Sequence, residues 1–305
     1  MKELKGYFLI IVAAVFWGIS ATIAKFLLNQ SLNTILIVQT RVTFSFFLLL
    51  GGYLFFRRDL LRVHVWDLYR FALLGICGVG GANFTYYFTI KESTVATAIL
   101  LQYTSPLLVL GYVALSREEA LTPVKFGAAV ISLLGCFFAV GAYDLNTLKL
   151  TPIGFVSGIG SIVAFAFMTV YIRHLVMKYS VWTVTIYTFG FASLFWLVVN
   201  PPWEIAAAAV SGETWGALFV LAIISVLIPH TAFFSGLQYV VPTRAMIIST
   251  LEPIVAIASA ALFLGEYLNP LQVVGAVLVL AAIAVLQLKR EQPGTMSPVE
   301  RADAA

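Results

Sequence analysis

Long runs of apolar residues, separated by short polar segments, follow one another along the chain. They do not alternate apolar and polar positions as β-strands do, and most reach the roughly 20 residues that a helix needs to cross a bilayer. Because backbone groups in lipid must be hydrogen-bonded within the chain, such runs favour helices. We predict an all-α polytopic membrane protein with ten transmembrane helices, at about residues 6–28, 35–56, 69–90, 93–115, 123–142, 152–172, 180–199, 215–240, 243–264 and 270–288.

Composition leads to the same class of protein. The chain has 305 residues, of which 61% are hydrophobic and 10% charged, with a mean hydropathy of +0.98. Soluble proteins carry about 25% charged residues, so this chain could not cover a water-facing surface. The first apolar run follows Lys2 and Lys5 as a signal peptide would, but it is about twice the usual length and similar runs follow it, which predicts an uncleaved first helix.

An internal repeat divides the chain into two halves. The segment from Thr97 to Val124 recurs between Thr243 and Leu271 without a gap, so that the pairs Pro106 and Pro253, Glu119 and Glu266, and Pro123 and Pro270 are matched. We predict two five-helix repeats, at residues 5–142 and 151–289, followed by a disordered cytoplasmic tail at 291–305. Because five is an odd number, the second repeat should enter the membrane from the opposite side and be inverted.

The distribution of lysine and arginine predicts the orientation. With the N-terminus inside, most of the 18 basic residues fall in cytoplasmic segments, including the cluster of Arg57, Arg58 and Arg62. Both termini are therefore predicted to be cytoplasmic, in a multi-pass protein of the cytoplasmic (inner) membrane. We interpret the basic cluster as a topology signal that contacts lipid headgroups, and we predict no nucleic-acid partner.

Several motifs resemble those of a known family. They are Trp17-Gly18 early in the first span, Arg41 in the second, and the paired segments Pro106…Glu119…Pro123 and Glu252-Pro253…Gly265-Glu266…Pro270. In these features the chain resembles the EamA-type branch of the drug/metabolite transporter superfamily, over about residues 5 to 289. The resemblance implies ten helices in two inverted repeats and transport of small organic solutes by alternating access. It also implies that export of amino acids or metabolites is common.

Polar residues within the apolar spans are the candidate site, because a charge at the centre of a membrane helix costs at least about 2.5–3.5 kcal/mol. Glu252 is either a structural carboxylate, tied to Arg41 or a backbone amide, or a site for substrate or a proton. Arg41 either clamps a carboxylate or phosphate of the substrate or forms an ion pair within the helix bundle. His230 either takes part in coupling or makes an interhelical hydrogen bond. At the repeat offset, Asn83 corresponds to His230, Ser105 to Glu252 and Gln102 to Ser249. The full predicted substrate pathway is Trp17, Arg41, Asn83, Gln102, Tyr103, Ser105, His230, Ser249 and Glu252.

Prolines inside the spans predict where helices bend. Pro106 and Pro253 remove the hydrogen bonds to the carbonyls of Gln102 and Ser249, and Pro229 precedes His230. We predict kinks at all three prolines. Residues three apart share a helix face, so Gln102 and Ser105, like Ser249 and Glu252, are expected to point together into the pathway.

These features predict a secondary transporter that moves a small organic solute, an amino acid or related metabolite, and the family resemblance implies export as the direction. The alternatives are an intramembrane enzyme or a lipid scramblase on the same helical scaffold. The chain has no HExxH, GxSxG or GxxxxGK[ST] motif, so we predict no catalytic residue, no metal, no cofactor and no ATP hydrolysis.

Overall fold

The structure is a computed structural model that describes residues 2–29, 32–56, 61–144, 148, 151–207, 210–264 and 269–288. Within these ranges the chain is helical and contains no strand. Gly265, Glu266, Arg57, Arg58 and the predicted tail at 291–305 lie outside the described residues. The α-helices are α1 (Lys2–Asn29), α2 (Thr34–Phe56), α3 (Leu68–Leu73), α4 (Gly81–Glu92), α5 (Val95–Gln102), α6 (Ser105–Ser116), α7 (Pro123–Ala139), α8 (Pro152–Lys178), α9 (Val181–Val199), α10 (Pro202–Ala207), α11 (Gly212–Ala222), α12 (Ile228–Gly236), α13 (Pro242–Ser249), α14 (Leu251–Leu264) and α15 (Pro270–Leu288).

Side-chain caps set the starts of many of these helices. The hydroxyl oxygens of Thr94, Thr122, Thr151, Ser180 and Ser211 each accept a hydrogen bond from the backbone N–H three residues later. Proline occupies the first helical position of α7, α8 and α13, where its missing N–H costs nothing. The short segments between apolar runs therefore carry the capping chemistry that ends one helix and starts the next.

In the described residues, nine helical stretches are long and apolar enough to cross a membrane. The remaining predicted span is the shorter apolar helix α7, which has 17 residues and ends at Ala139 rather than near residue 142. A multi-pass membrane protein is thus confirmed, and the count of ten crossing helices stays a prediction. The short helix α10 was not predicted from the apolar pattern.

Four of the predicted spans are interrupted near the middle. The third span joins α3 to α4 through a π-helical segment, Leu74–Gly80, and the eighth joins α11 to α12 through another, Ile223–Leu227. The fourth and ninth spans are each broken, between α5 and α6 and between α13 and α14. Each break falls just before a predicted kink proline, Pro106 or Pro253, and Pro229 is the second residue of α12. The π-helical segments were not predicted.

The helices pack in pairs that run antiparallel. In the α2–α9 pair, Thr43 Oγ1 lies 2.9 Å from Ser193 Oγ, whereas Gln39, nearer the start of α2, exchanges hydrogen bonds with Asn200 just beyond the end of α9. In the α7–α15 pair, Gly135 lies against Val279 and the later Ala139 lies against the earlier Gly275. Residue numbers therefore rise along one helix as they fall along the other.

The packing of α1 and α8 follows a matching pattern. Helix α1 packs on α12 and α14, and α8 packs on α4, α5 and α6. Near the start of α1, Gly6 lies against Val240; near the start of α8, Gly154 lies against Ser93. Val240 and Ser93 are themselves related by the offset that matches Pro253 to Pro106. Each half of the chain thus packs its first long helix, α1 or α8, against helices of the other half.

The α7–α15 contact depends on two glycines and yields a first prediction. A Cβ on Gly275 would lie 2.4 Å from the backbone nitrogen of Ala139 and 2.6 Å from the carbonyl oxygen of Gly135. Because backbone cannot move aside as a side chain can, we expect Gly275→Ala to lower stability by about 1–3 kcal/mol. The measurement is the thermal midpoint of the purified protein in detergent.

Gly111→Ala and Gly127→Ala are the matched controls, since a Cβ on either glycine meets nothing within 4 Å. Each should leave the midpoint unchanged or raise it slightly, because alanine is the better helix former. Equal effects of all three substitutions would contradict the proposed close contact.

Candidate functional site

A cavity lies near the middle of the helix bundle, where the interrupted spans meet α1, α2 and α8. The volume of this cavity is about 60 Å³, which is enough for a few water molecules. A larger solute therefore requires the lining to move. The lining residues are Trp17, Ser20, Ala21, Arg41, Ala82, Asn83, Tyr86, Tyr87, Gln102, Phe165, Met168, His230 and Glu252.

Arg41 is the cationic group of the cavity and is only 3% exposed. Its Nε donates to Ser225 Oγ at 2.7 Å and its Nη2 donates to the Ser225 carbonyl at 3.3 Å. The guanidinium carbon lies 4.6 Å from the centre of the Tyr87 ring, a cation–π distance. Its Nη1 has no hydrogen-bond partner among the described residues, which leaves a buried charged donor available to a ligand.

Glu252 is the anionic group and is 8% exposed. Its Oε2 accepts a hydrogen bond of 2.6 Å from the hydroxyl of Tyr103. Within the described part of the chain, Glu252 and Arg41 make no ion pair with each other. Tyr103 supplies the hydrogen bond to the Glu252 carboxylate in this structure, and the role of Glu252 stays a prediction.

Gly18 explains how α1 comes so close to Glu252. A Cβ on Gly18 would lie 2.7 Å from the Glu252 carbonyl oxygen and 2.7 Å from Cβ of Val255. Only a glycine lets the two backbones approach to this distance. Trp17 thus places an aromatic ring in the cavity, and the neighbouring Gly18 allows α1 and α14 to pack closely.

His230 and Asn83 lie at matched positions and make matched contacts. His230 Nδ1 donates to the Val226 carbonyl at 3.1 Å, and Asn83 Nδ2 donates to the Val79 carbonyl at 2.8 Å. Both bonds reach back four residues into a π-helical segment, where widened turns alter the local hydrogen bonding. The Trp17 ring lies edge-on to His230, with 5.4 Å between ring centres.

Not every predicted pathway residue lines the cavity. The structure brings Trp17, Arg41, Asn83, Gln102, His230 and Glu252 to it, and Tyr103 contacts it through Glu252. Ser105 and Ser249 are fully buried but are not among the lining residues. The expectation that they share faces with Gln102 and Glu252 assumed a continuous helix, and the chain breaks between the members of each pair. Ser225, which holds Arg41, was missed because nothing in the sequence marks its π-helical segment.

Polar contacts join the two sequence segments at the end of the bundle where α1 begins. Glu119 Oε1 accepts from the Thr243 backbone N–H at 3.1 Å, and Glu119 Oε2 lies 3.2 Å from Lys125 Nζ. Burial raises the pKa of the Glu119 carboxyl, and the Lys125 ammonium opposes that shift. Arg244 also donates to Glu3 and to Tyr7. Helix α13 is thus held at its start by charged groups from the first segment.

The Tyr103–Glu252 contact gives a second prediction. Tyr103→Phe removes a donor from a buried carboxylate, so we expect a loss of stability of about 1–3 kcal/mol. Tyr86→Phe is the control, because the buried Tyr86 hydroxyl lines the same cavity and has no partner in the described residues. Thermal unfolding in detergent should show a clear loss for the first variant and little for the second. A loss that is no larger for Tyr103→Phe would mean that the contact contributes nothing.

Known proteins are similar to this chain in fold or in sequence. A solved crystal structure matches the fold with a TM-score of 0.78 at 20% identity, covering 93% of this chain and 96% of the other. An uncharacterized inner membrane transporter, YicL of Salmonella typhimurium, is 27% identical over 93% of this chain and 95% of its own length. The threonine/homoserine exporter RhtA of Escherichia coli is 25% identical over 70% of each chain. The profile of the EamA-like transporter family matches residues 4–141 and again residues 152–288, and the chain belongs to that family.

Proposed function

We propose that this transporter is a secondary transporter that exports a small zwitterionic solute, an amino acid or a close relative, from the cytoplasm by alternating access. The observation that carries the proposal is the pair of opposite charges facing one small cavity. Arg41 belongs to the first matched segment, residues 4–141, and Glu252 belongs to the second, residues 152–288. A solute bound between them contacts both segments at once. Movement of one segment against the other then presents it to each side of the membrane in turn.

The chemistry of the two charged groups supports a zwitterion. Nη1 of Arg41 is buried and has no hydrogen-bond partner among the described residues, so it can donate to a carboxylate of the solute. Glu252 keeps a carboxylate oxygen beyond the one that Tyr103 engages, which suits an ammonium group. Trp17, Tyr86 and Phe165 provide aromatic surface around them for the rest of the solute. RhtA, which is named a threonine/homoserine exporter, is consistent with a solute of this class.

Inverted repeats of five spans each, with both termini in the cytoplasm, belong to the proposal. The antiparallel pairing of α2 with α9 and of α7 with α15 supports inversion, because equivalent helices in repeats of the same orientation would run parallel. The double match of the family profile supports two repeats. The basic residues at one end of the bundle support the assignment of that end to the cytoplasm.

The interruptions supply the places where the structure can bend. The breaks after Gln102 and after Ser249 lie beside the cavity, and each has lost helical hydrogen bonds that would resist bending. The π-helical segments lie next to Asn83 and His230. We assign these four interruptions as hinges, and the Glu119–Thr243 and Arg244–Glu3 contacts as the closure on the cytoplasmic side.

Flux through proteoliposomes gives the third prediction. Wild-type protein should move radiolabelled threonine or homoserine, or another labelled amino acid of a mixed pool, with saturation. Arg41→Gln and Glu252→Gln each remove one charged hydrogen bond to the solute, so we expect kcat/KM to fall by about tenfold to a hundredfold. Glu252→Gln keeps a side chain of the same length that can still accept from Tyr103, whereas Arg41→Gln removes the charge and leaves a shorter side chain.

Arg117→Gln and Glu213→Gln are the matched controls, since both residues are exposed and distant from the cavity. They should carry solute like wild type. Saturable flux that survives both cavity substitutions would remove Arg41 and Glu252 from the site. Absence of flux for every solute, together with movement of fluorescent lipid between leaflets, would favour the scramblase alternative.

A further inference from the structure

Among the described residues that line the central cavity, two polar side-chain atoms are buried without a hydrogen bond. One is Nη1 of Arg41, which the proposed function assigns to the carboxylate of the solute. The other is the hydroxyl of Tyr86. A buried hydroxyl that gives up its bonds to water and gains none in return costs free energy. Its place in the cavity lining indicates that a ligand supplies the missing bond.

The Tyr86 hydroxyl lies beside the charged groups of the cavity. Tyr86 shares a face of α4 with Asn83, three residues earlier, and both line the cavity. The Tyr86 ring lies edge-on to the ring of Tyr87, with 5.6 Å between centres, and the Tyr87 ring lies 4.6 Å from the guanidinium carbon of Arg41. The charges of both Arg41 and Glu252 act on the Tyr86 hydroxyl. A solute bound between these charges therefore has Tyr86 at its side.

The neighbouring neutral polar groups differ from Tyr86 because they already donate within the protein. Ser20 Oγ donates to the Trp17 carbonyl at 2.8 Å, and Asn83 Nδ2 donates to the Val79 carbonyl at 2.8 Å. Neither bond depends on a ligand. The small volume of the cavity means that the lining moves when a solute enters, and that movement brings the covered Tyr86 hydroxyl into contact with the solute.

We propose that Tyr86 determines specificity by binding a hydroxyl group on the side chain of the transported amino acid. The inference rests on the proposed function, because Arg41 and Glu252 must fix the carboxylate and the ammonium before the side chain has a defined position. The Tyr86 hydroxyl then makes a third polar contact. A phenol and an alcohol can each donate one hydrogen bond and accept another, so each satisfies the other.

Other kinds of side chain fit this lining less well. Arg41 and Glu252 are engaged by the two ends of the solute, and His230 Nδ1 lies 3.1 Å from the carbonyl of Val226 in its own span. A charged side chain would thus be buried without a partner of opposite charge. An apolar side chain would leave the Tyr86 hydroxyl unsatisfied. A short side chain that carries a hydroxyl avoids both costs.

Threonine and valine are matched probes of this contact, since their side chains have nearly the same shape and differ by a hydroxyl in place of a methyl group. A site that binds a substrate hydroxyl discriminates against the analogue that lacks it, because the polar group of the site is then left unpaired. In proteoliposomes, wild type should transport radiolabelled threonine with a kcat/KM about tenfold or more above that for valine. Tyr86→Phe keeps the ring and removes the hydroxyl. It should lower the value for threonine about tenfold and leave that for valine unchanged or slightly higher.

Tyr112→Phe is the matched control, because it makes the same chemical change at a tyrosine that is 49% exposed and does not line the cavity. It should keep the wild-type ratio of threonine to valine. The thermal midpoint of Tyr86→Phe in detergent should not fall below that of wild type, since the lost hydroxyl has no partner among the described residues. A changed ratio in a protein of unchanged stability is then an effect on recognition.

The outcomes separate this inference from the proposed function. Equal transport of threonine and valine by wild type would overturn the role of Tyr86 and leave the proposed function in place. An unchanged preference in Tyr86→Phe would also overturn it and would indicate another polar lining residue, such as Gln102. An equal fall for both amino acids would make Tyr86 a structural residue of the cavity. Absence of saturable flux for every amino acid would contradict the proposed function, and this inference with it.

Discussion

The cost of placing charge in an apolar layer governs the centre of this protein. Arg41 is held by Ser225, and Glu252 is held by Tyr103. In both contacts the charged residue belongs to one matched segment and its partner to the other. The hydrogen bonds to Arg41 and to Glu252 therefore come from the opposite segment in each case, so the cavity forms only when the two segments pack together. Among the described residues, one guanidinium nitrogen has no hydrogen-bond partner. An unsatisfied buried donor is costly, and under the proposed function the solute supplies the missing acceptor.

The interruptions of the spans follow from the same need for polar groups at mid-membrane depth. The middle of a continuous helix offers no free backbone group, whereas a helix that ends at Gln102 or Ser249 leaves carbonyl groups in its last turn without partners in the helix. Pro106 and Pro253 make those stops unavoidable, since neither can donate to the preceding turn. In the other two spans, the π-helical segments also interrupt the regular helix, because they change the backbone hydrogen bonding beside Asn83 and His230. In the proposed function these segments are the hinges of alternating access.

Much of this architecture could be predicted from the sequence, because apolar run length and proline position act locally. Trp17, Arg41, Asn83, Gln102, His230 and Glu252 were expected in the pathway, and all line the cavity. Ser105 and Ser249 do not, because the three-residue spacing rule fails across a broken helix. Ser225 could not be predicted as the partner of Arg41, since the contact joins residues more than a hundred positions apart. The role of the pathway residues stays a prediction.

Side-specific labelling tests the central claim most directly. Ala21 lines the cavity beside Trp17 and can be replaced by cysteine, in a chain whose Cys77 and Cys136 are replaced by serine. Alternating access predicts that a membrane-impermeant maleimide reaches Cys at this position from the outside in one state and from the cytoplasmic side in another. A transported amino acid should slow both reactions. Labelling from one side only, whether solute is present or not, would contradict a central site that opens to each side in turn.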